Sequence, residues 1–134
     1  MHGSPILFLE VDDVIEIHRV EIERFGGSLG VRDQGLLESA VDMPRTYYFG
    51  EFANKDIFEM AAAYLFHLVA NHPFIDGNKR AGAAAAAVFL DLNGYWIDTA
   101  EPAFGDLVIA VATGTASKDM VAQFFEQHCR RYET

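Results

Sequence analysis

His72-Pro-Phe-Ile-Asp-Gly-Asn-Lys-Arg80 runs directly into Ala81-Gly-Ala-Ala-Ala-Ala-Ala-Val-Phe-Leu-Asp-Leu92, and this junction decides how the chain is read. The second segment is a helix by composition, and Gly94 stands where a glycine is expected just past a helix end. In the first segment Gly77 and Asn78 tolerate left-handed backbone, which aims successive N–H groups into one concavity. A turn of that kind feeding a helix N-terminus is an anion site, because the unpaired amides and the helix dipole point the same way. Arg80 adds a planar fork suited to phosphate oxygens, and Lys79 a mobile point charge. Asp76 is a hard oxygen ligand of the kind Mg²⁺ accepts alongside substrate phosphates. His72 is the one side chain of the run whose ordinary pKa suits proton abstraction near neutrality. Together these groups describe a site that moves a phosphate-bearing group onto a hydroxyl.

Working outward, the segment before the run, Asp56 to about Asn71, is apolar nearly all round, as a central helix is. With the alanine-rich helix after the run it predicts a buried antiparallel pair. Val11 to Phe25 carries apolar residues at helical spacing, with Asp12 or Asp13 as cap and Gly26-Gly27 as terminator. Asp33 caps a helix over Gln34 to Asp42 that buries Leu36, Leu37 and Ala40 and stops before Pro44. Arg45 to Asn54 is an irregular aromatic loop, a candidate lid or docking flap. Ile6 to Leu9 and Tyr95 to Asp98 are short extended pieces. Phe104 to Ala112 and Lys118 to Arg131 close the chain as two helices. The expectation is an all-α fold around a central antiparallel helix pair, with at most a short strand or hairpin, in a single domain spanning residues 1–134.

The chain has 134 residues with a formal net charge of −10. A polyanion is repelled by such a surface, which argues against direct binding of nucleic acid. The adjacent cations at positions 79 and 80 are informative against that background. No apolar run reaches the roughly 18 residues a membrane span needs, and the N-terminus lacks the basic and apolar pattern of a signal peptide. The single cysteine, Cys129, cannot form an internal disulfide, which agrees with a cytoplasmic setting. His2, His18 and His128 take the default of surface or satisfied core residues. His67 lies five residues before His72, the wrong spacing for two ligands on one helix face, so a zinc pair is not expected. Phe74 reads as an anchor packing the loop onto the core. Asp76 can cap the helix as well as hold a metal, and Gly82 serves close packing or phosphate approach. Arg32 and Arg45 are further cations, candidates to reach the site from loops.

His72, Phe74, Asp76, Gly77, Asn78 and Arg80 match, position for position, the HxFx(D/E)GNGRxxR pattern of the Fic/Doc family, which the chain closely resembles. Two positions depart: Lys79 replaces the second glycine, and Ala83 stands where the second arginine belongs. Both departures are those of the family's death-on-curing toxin branch. The segment Phe25 to Pro44, and those leading into and out of the run, resemble that branch too, so the likeness covers Ile6 to Arg131. It implies the Fic fold. It also implies His72 as base on a target hydroxyl, Asp76 as the Mg²⁺ ligand, and Gly77, Asn78, Lys79, Arg80 and Gly82 as the ATP-phosphate cradle. Catalysis would rest on His72, Asp76, Lys79 and Arg80, with Phe74 structural. In this branch the nucleotide is understood to bind reversed, so the implied activity is a kinase acting on a threonine or serine of a translation factor, elongation factor Tu being the expected target. Nucleotidyl transfer of AMP is the alternative, and a catalytically silent binding module a second. Many Fic proteins carry an inhibitory (S/T)xxxE(G/N) motif. No glutamate of this chain has Ser or Thr four residues before it, so the resemblance implies restraint in trans by a cognate antitoxin.

Overall fold

The computed structural model describes residues 5–133; His2 lies outside them. Six helices carry the fold: α1 (Val11–Phe25), α2 (Gln34–Asp42), α3 (Ile57–Asn71), α4 (Asn78–Leu92), α5 (Ala103–Ala112) and α6 (Lys118–His128). Two short antiparallel pairs complete it, β1 (Tyr47–Tyr48) with β2 (Glu51–Phe52), and β3 (Tyr95–Ile97) with β4 (Cys129–Arg131). The fold is mostly helical, as the patterning predicts.

Helix α3 is the axis, in contact with α2, α4, α5 and α6. Met60 to Leu65, Leu68 and Val69 are all buried on it, so it has no solvent stripe. Met60, Leu65, Leu68 and Val69 each contribute about 1.5–3 kcal/mol on full burial. Asp56 caps it, its carboxylate accepting from the Glu59 amide at 2.8 Å. Helix α4 returns alongside. Gly82 near its start sits against Leu65 and Val69, and Phe89 near its end packs on Tyr64 with 5.0 Å between ring centroids. The central antiparallel pair is therefore present. Tyr64 also fixes the extended lead-in, since its hydroxyl accepts from the Leu9 amide at 2.8 Å. Burial pushes that phenol up to about 12.

Several boundaries differ from expectation. Helix α1 is capped by Glu10, and Asp13 supplies the reciprocal half of the box, accepting from the Glu10 amide at 2.8 Å. Asp12 takes no part. Leu36 is only half-buried in α2, where Leu37, Ala40 and Val41 form the buried stripe. Pro44 lies in a 3₁₀ turn, Met43–Arg45, and the aromatic loop after it contains the β1–β2 hairpin. The last helix ends at His128, three residues early, because Cys129–Arg131 pairs with Tyr95–Ile97. Helical periodicity up to His128 conceals that switch, since a three-residue strand is too short to show a period of its own. Cys129 is half-buried there, and burial pushes its thiol up to about 11, so it is protonated at neutral pH.

Candidate active site

Residues 72–77 link the two central helices, and three devices hold them. The first lies within the turn. Asn78 accepts from the Phe74 amide at 2.9 Å through Oδ1 and donates to the Phe74 carbonyl at 3.0 Å through Nδ2. Its amide is spent on the turn.

The second device comes from α1. Phe74 is buried, and the ring of His18 lies parallel to it with centroids 3.8 Å apart. His18 Nε2 is 2.7 Å from the Asp76 carbonyl oxygen. A carbonyl only accepts, so Nε2 carries the proton and donates. His18 is thus a satisfied core histidine, as expected, and it forms the floor of the motif loop. Its i+4 apolar company on α1 (Val14, Ile22) signals burial; nothing local in sequence signals its partner.

The third device is the segment after α1. The Ile75 amide donates to the Gly30 carbonyl at 3.0 Å, and the amides of Arg32 and Asp33 donate to the Pro73 carbonyl at 2.7 and 3.1 Å. The Arg32 guanidinium reaches the end of α3, donating to the carbonyls of His72 at 2.6 Å and Asn71 at 3.0 Å. Those carbonyls are orphans of the helix end. His72 itself caps α3 in the left-handed region, φ 51 and ψ 53. Arg45, by contrast, lies apart from the turn, donating to the Leu9 carbonyl at 2.7 Å.

The polar groups converge at the start of α4. Gly77, left-handed at φ 75, is its N-cap, so Asp76 does not cap the helix in the usual sense. Its Oδ1 instead accepts from the Gly77 amide at 2.8 Å, and Oδ2 accepts from the Ser28 amide at 3.1 Å. The Ser28 bond, then the Gly77 bond, then the charge of Arg80 hold this carboxyl below its usual range. It is a carboxylate at any physiological pH. Arg80 is anchored by donating to the Gly26 carbonyl at 2.8 Å. Gly27 lies between these two side chains: a Cβ on it would stand 2.7 Å from Asp76 Oδ2 and 3.0 Å from Arg80 Nη2. The glycine pair that looks like a helix terminator is therefore also the seat of the acid and the fork.

Ala81 is the first residue of α4 whose amide reaches back, to the Gly77 carbonyl at 2.9 Å. The amides of Asn78, Lys79 and Arg80 are left facing the turn, a ready anion site at a helix N-terminus. Lys79 is exposed beside them. Gly82, one turn in, is buried against α3, where a Cβ would meet Val69 Cγ2 at 2.7 Å and the Leu65 carbonyl at 3.1 Å. Close helix packing accounts for it. Among the described residues no three His, Cys, Asp or Glu side chains gather into a cation cage. A cation at Asp76 would therefore take its other ligands from water and phosphate, which is how Mg²⁺ is usually held, and the ionised, outward Asp76 fits that role.

A sequence model of the Fic/DOC family matches residues 8–90, a span that includes α1, the glycine loop, the motif turn and nearly all of α4. Toxin Doc of Mycolicibacterium smegmatis is 39% identical over 121 residues, covering 86% of this chain and 88% of that protein. A protein named Protein kinase doc, from Escherichia phage P1, is 33% identical over 121 residues, covering 90% of each. With the turn, its three anchors and these relatives in agreement, the chain belongs to the Fic/DOC family.

Proposed function

We propose that this protein is a toxin of the Doc type, a transferase that carries the γ-phosphoryl group of ATP, with Mg²⁺, to a threonine or serine hydroxyl of a translation factor, elongation factor Tu being the expected acceptor. The observation that carries the reading is the convergence at one helix N-terminus of an ionised Asp76, an anchored Arg80 and three free amides, with His72 at the entrance of the same turn. The relative named as a protein kinase supports phosphoryl transfer. So do Lys79 and Ala83, which leave α4 without a second arginine to grip outer phosphates.

In this reading the amides of Asn78 to Arg80 and the Arg80 fork hold the phosphate under attack. Mg²⁺ held by Asp76 would spread the phosphates' charge. His72 accepts the proton of the acceptor hydroxyl, whose oxygen bonds to the γ-phosphorus as the bond from that phosphorus to the leaving ADP oxygen breaks. Positioning and charge neutralisation supply most of the catalysis in such a transfer. A cognate antitoxin provides restraint in trans, since the chain has no internal glutamate motif to supply it.

Mass spectrometry of elongation factor Tu after incubation with the toxin and Mg-ATP tests the reading. A gain of about 80 Da, lost on His72→Ala substitution and on chelation of Mg²⁺, is expected for one phosphoryl group. A gain of about 329 Da would establish AMP transfer by the same base and turn. Growth arrest by a well-folded His72→Ala protein would make the toxin a binding module.

A further inference from the structure

A groove of about 600 Å³ opens beside His72, between the end of α3 and the loop joining α5 to α6. Phe66, Ala70, Val111, Ala112 and Met120 contribute to its wall along with His72. None of the residues lining it is Asp, Glu, Lys or Arg, in a chain with 20 acidic and 10 basic side chains. It also contains Thr113, Thr115 and Ser117, whose hydroxyl oxygens each bond to neighbouring backbone. Thr113 Oγ1 donates to the Ile109 carbonyl at 3.1 Å, Thr115 Oγ1 to the Ala110 carbonyl at 3.2 Å, and Ser117 Oγ accepts from the Met120 amide at 3.2 Å. The two threonine protons are therefore spent on backbone carbonyls, and most of the remaining wall is apolar.

An in-line transfer requires the attacking and leaving oxygens to stand on opposite sides of the phosphorus. The phosphate turn, Gly77 to Arg80, contributes no residue to this groove, whereas His72, which caps α3 at the start of the same loop, does. From that division we infer that the groove is the acceptor subsite: it seats the protein segment bearing the target hydroxyl, and it selects uncharged, apolar neighbours around that hydroxyl. A polyphosphate finds no cation in it, which argues against the nucleotide as occupant. A charged flanking side chain would lose its hydration there without gaining a partner. Met120, flexible and half-exposed, suits a wall that must fit an irregular segment.

The inference rests on the transferase reading, and the test separates the two. Ala70→Glu and Met120→Glu place a carboxylate on the wall at exposed positions. With elongation factor Tu as acceptor, each Glu variant is expected to raise KM for the acceptor by at least ~10-fold, the scale of a blocked interface anchor. KM for ATP should stay within a factor of two. In a His72→Ala background, calorimetric titration with the same acceptor reads the groove without chemistry, and the Glu variants should weaken binding by a similar factor. A rise in KM for ATP instead would assign the groove to the nucleoside and overturn the inference. Unchanged acceptor KM and unchanged binding would overturn it as well. Absence of any transfer by the parent, with groove-dependent acceptor binding intact, would remove the transferase reading and leave the groove standing.

Discussion

The rings of His18 and Phe74 lie parallel, 2° apart in plane and 3.8 Å between centroids, across 56 residues of chain. With the bond from His18 Nε2 to the Asp76 carbonyl, this contact fixes both ends of the Phe74–Asp76 segment to α1. A helix far away in sequence thus sets where the Asp76 carboxylate and the N-terminal turn of α4 stand. His18→Ala should lower stability by roughly 2–4 kcal/mol, from the lost ring and the carbonyl left unpaired. His18→Phe keeps the stack and should cost only about 1–3 kcal/mol, the penalty of the unpaired carbonyl. Urea unfolding of the two variants separates the contributions; equal losses would mean that the hydrogen bond carries everything.

Gly82 tests whether the helix pair or the phosphate site requires a glycine at that position. A Cβ there meets a valine methyl and a backbone carbonyl of α3, and the carbonyl cannot turn aside. Gly82→Ala is expected to destabilise the protein by about 1–3 kcal/mol through overpacking, offset in part by alanine's better helix propensity. Affinity for ATP, measured on the folded fraction at low temperature, should be unchanged. A loss of ATP affinity with stability intact would restore a phosphate role to Gly82.

Asp76 links the loop to pH. Its carboxyl sits below the ordinary value of 3.8, through the amides of Ser28 and Gly77. A carboxylate whose pKa is depressed by folding contributes stability that is present above its unfolded pKa and is lost as pH falls through the folded one. The stability difference between the parent and Asp76→Asn should therefore be flat from neutrality down to about pH 4 and shrink below 3.8. Thermal unfolding across that range measures it. A difference that widened on acidification would mean that the carboxyl is raised, not lowered, by its surroundings.

What was legible in the sequence follows from how local each signal is. The central helices, their antiparallel return and the turn between them depend on apolar content, an Asp cap and a short connection, all contained within Asp56 to Gly94. The polar groups of the turn were legible because each residue type has few other uses at that spacing. The anchors were not. His18, Gly27, Ser28 and Arg32 act on the turn from roughly forty to sixty positions away, and a sequence read segment by segment shows them as a core histidine, a helix stop, a loop serine and a loop cation. The short strand Cys129–Arg131 was hidden for the same reason, since its partner, Tyr95–Ile97, lies across the fold.

Arg32 offers the sharpest test of the proposed role of His72 as base. His72 occupies left-handed backbone without being a glycine, a conformation that costs on the order of 1–3 kcal/mol unless its surroundings enforce it. Those surroundings are the two bonds from Arg32 to the carbonyls of Asn71 and His72, together with the amides of Arg32 and Asp33 on Pro73. Arg32→Ala removes the side-chain bonds and keeps the backbone ones, so the turn should persist while the His72 backbone that carries the imidazole is held less firmly. The expected result is a fall in kcat of about 10- to 100-fold, the scale of a misplaced catalytic group. KM for ATP should be unchanged, because Asp76, Arg80 and the first-turn amides of α4 are held by other contacts. Arg32→Lys retains one donor near the helix end and should recover part of kcat, without the two-pronged geometry that a guanidinium alone provides. A uniform loss of stability with kcat intact on the folded fraction would reduce Arg32 to a helix cap.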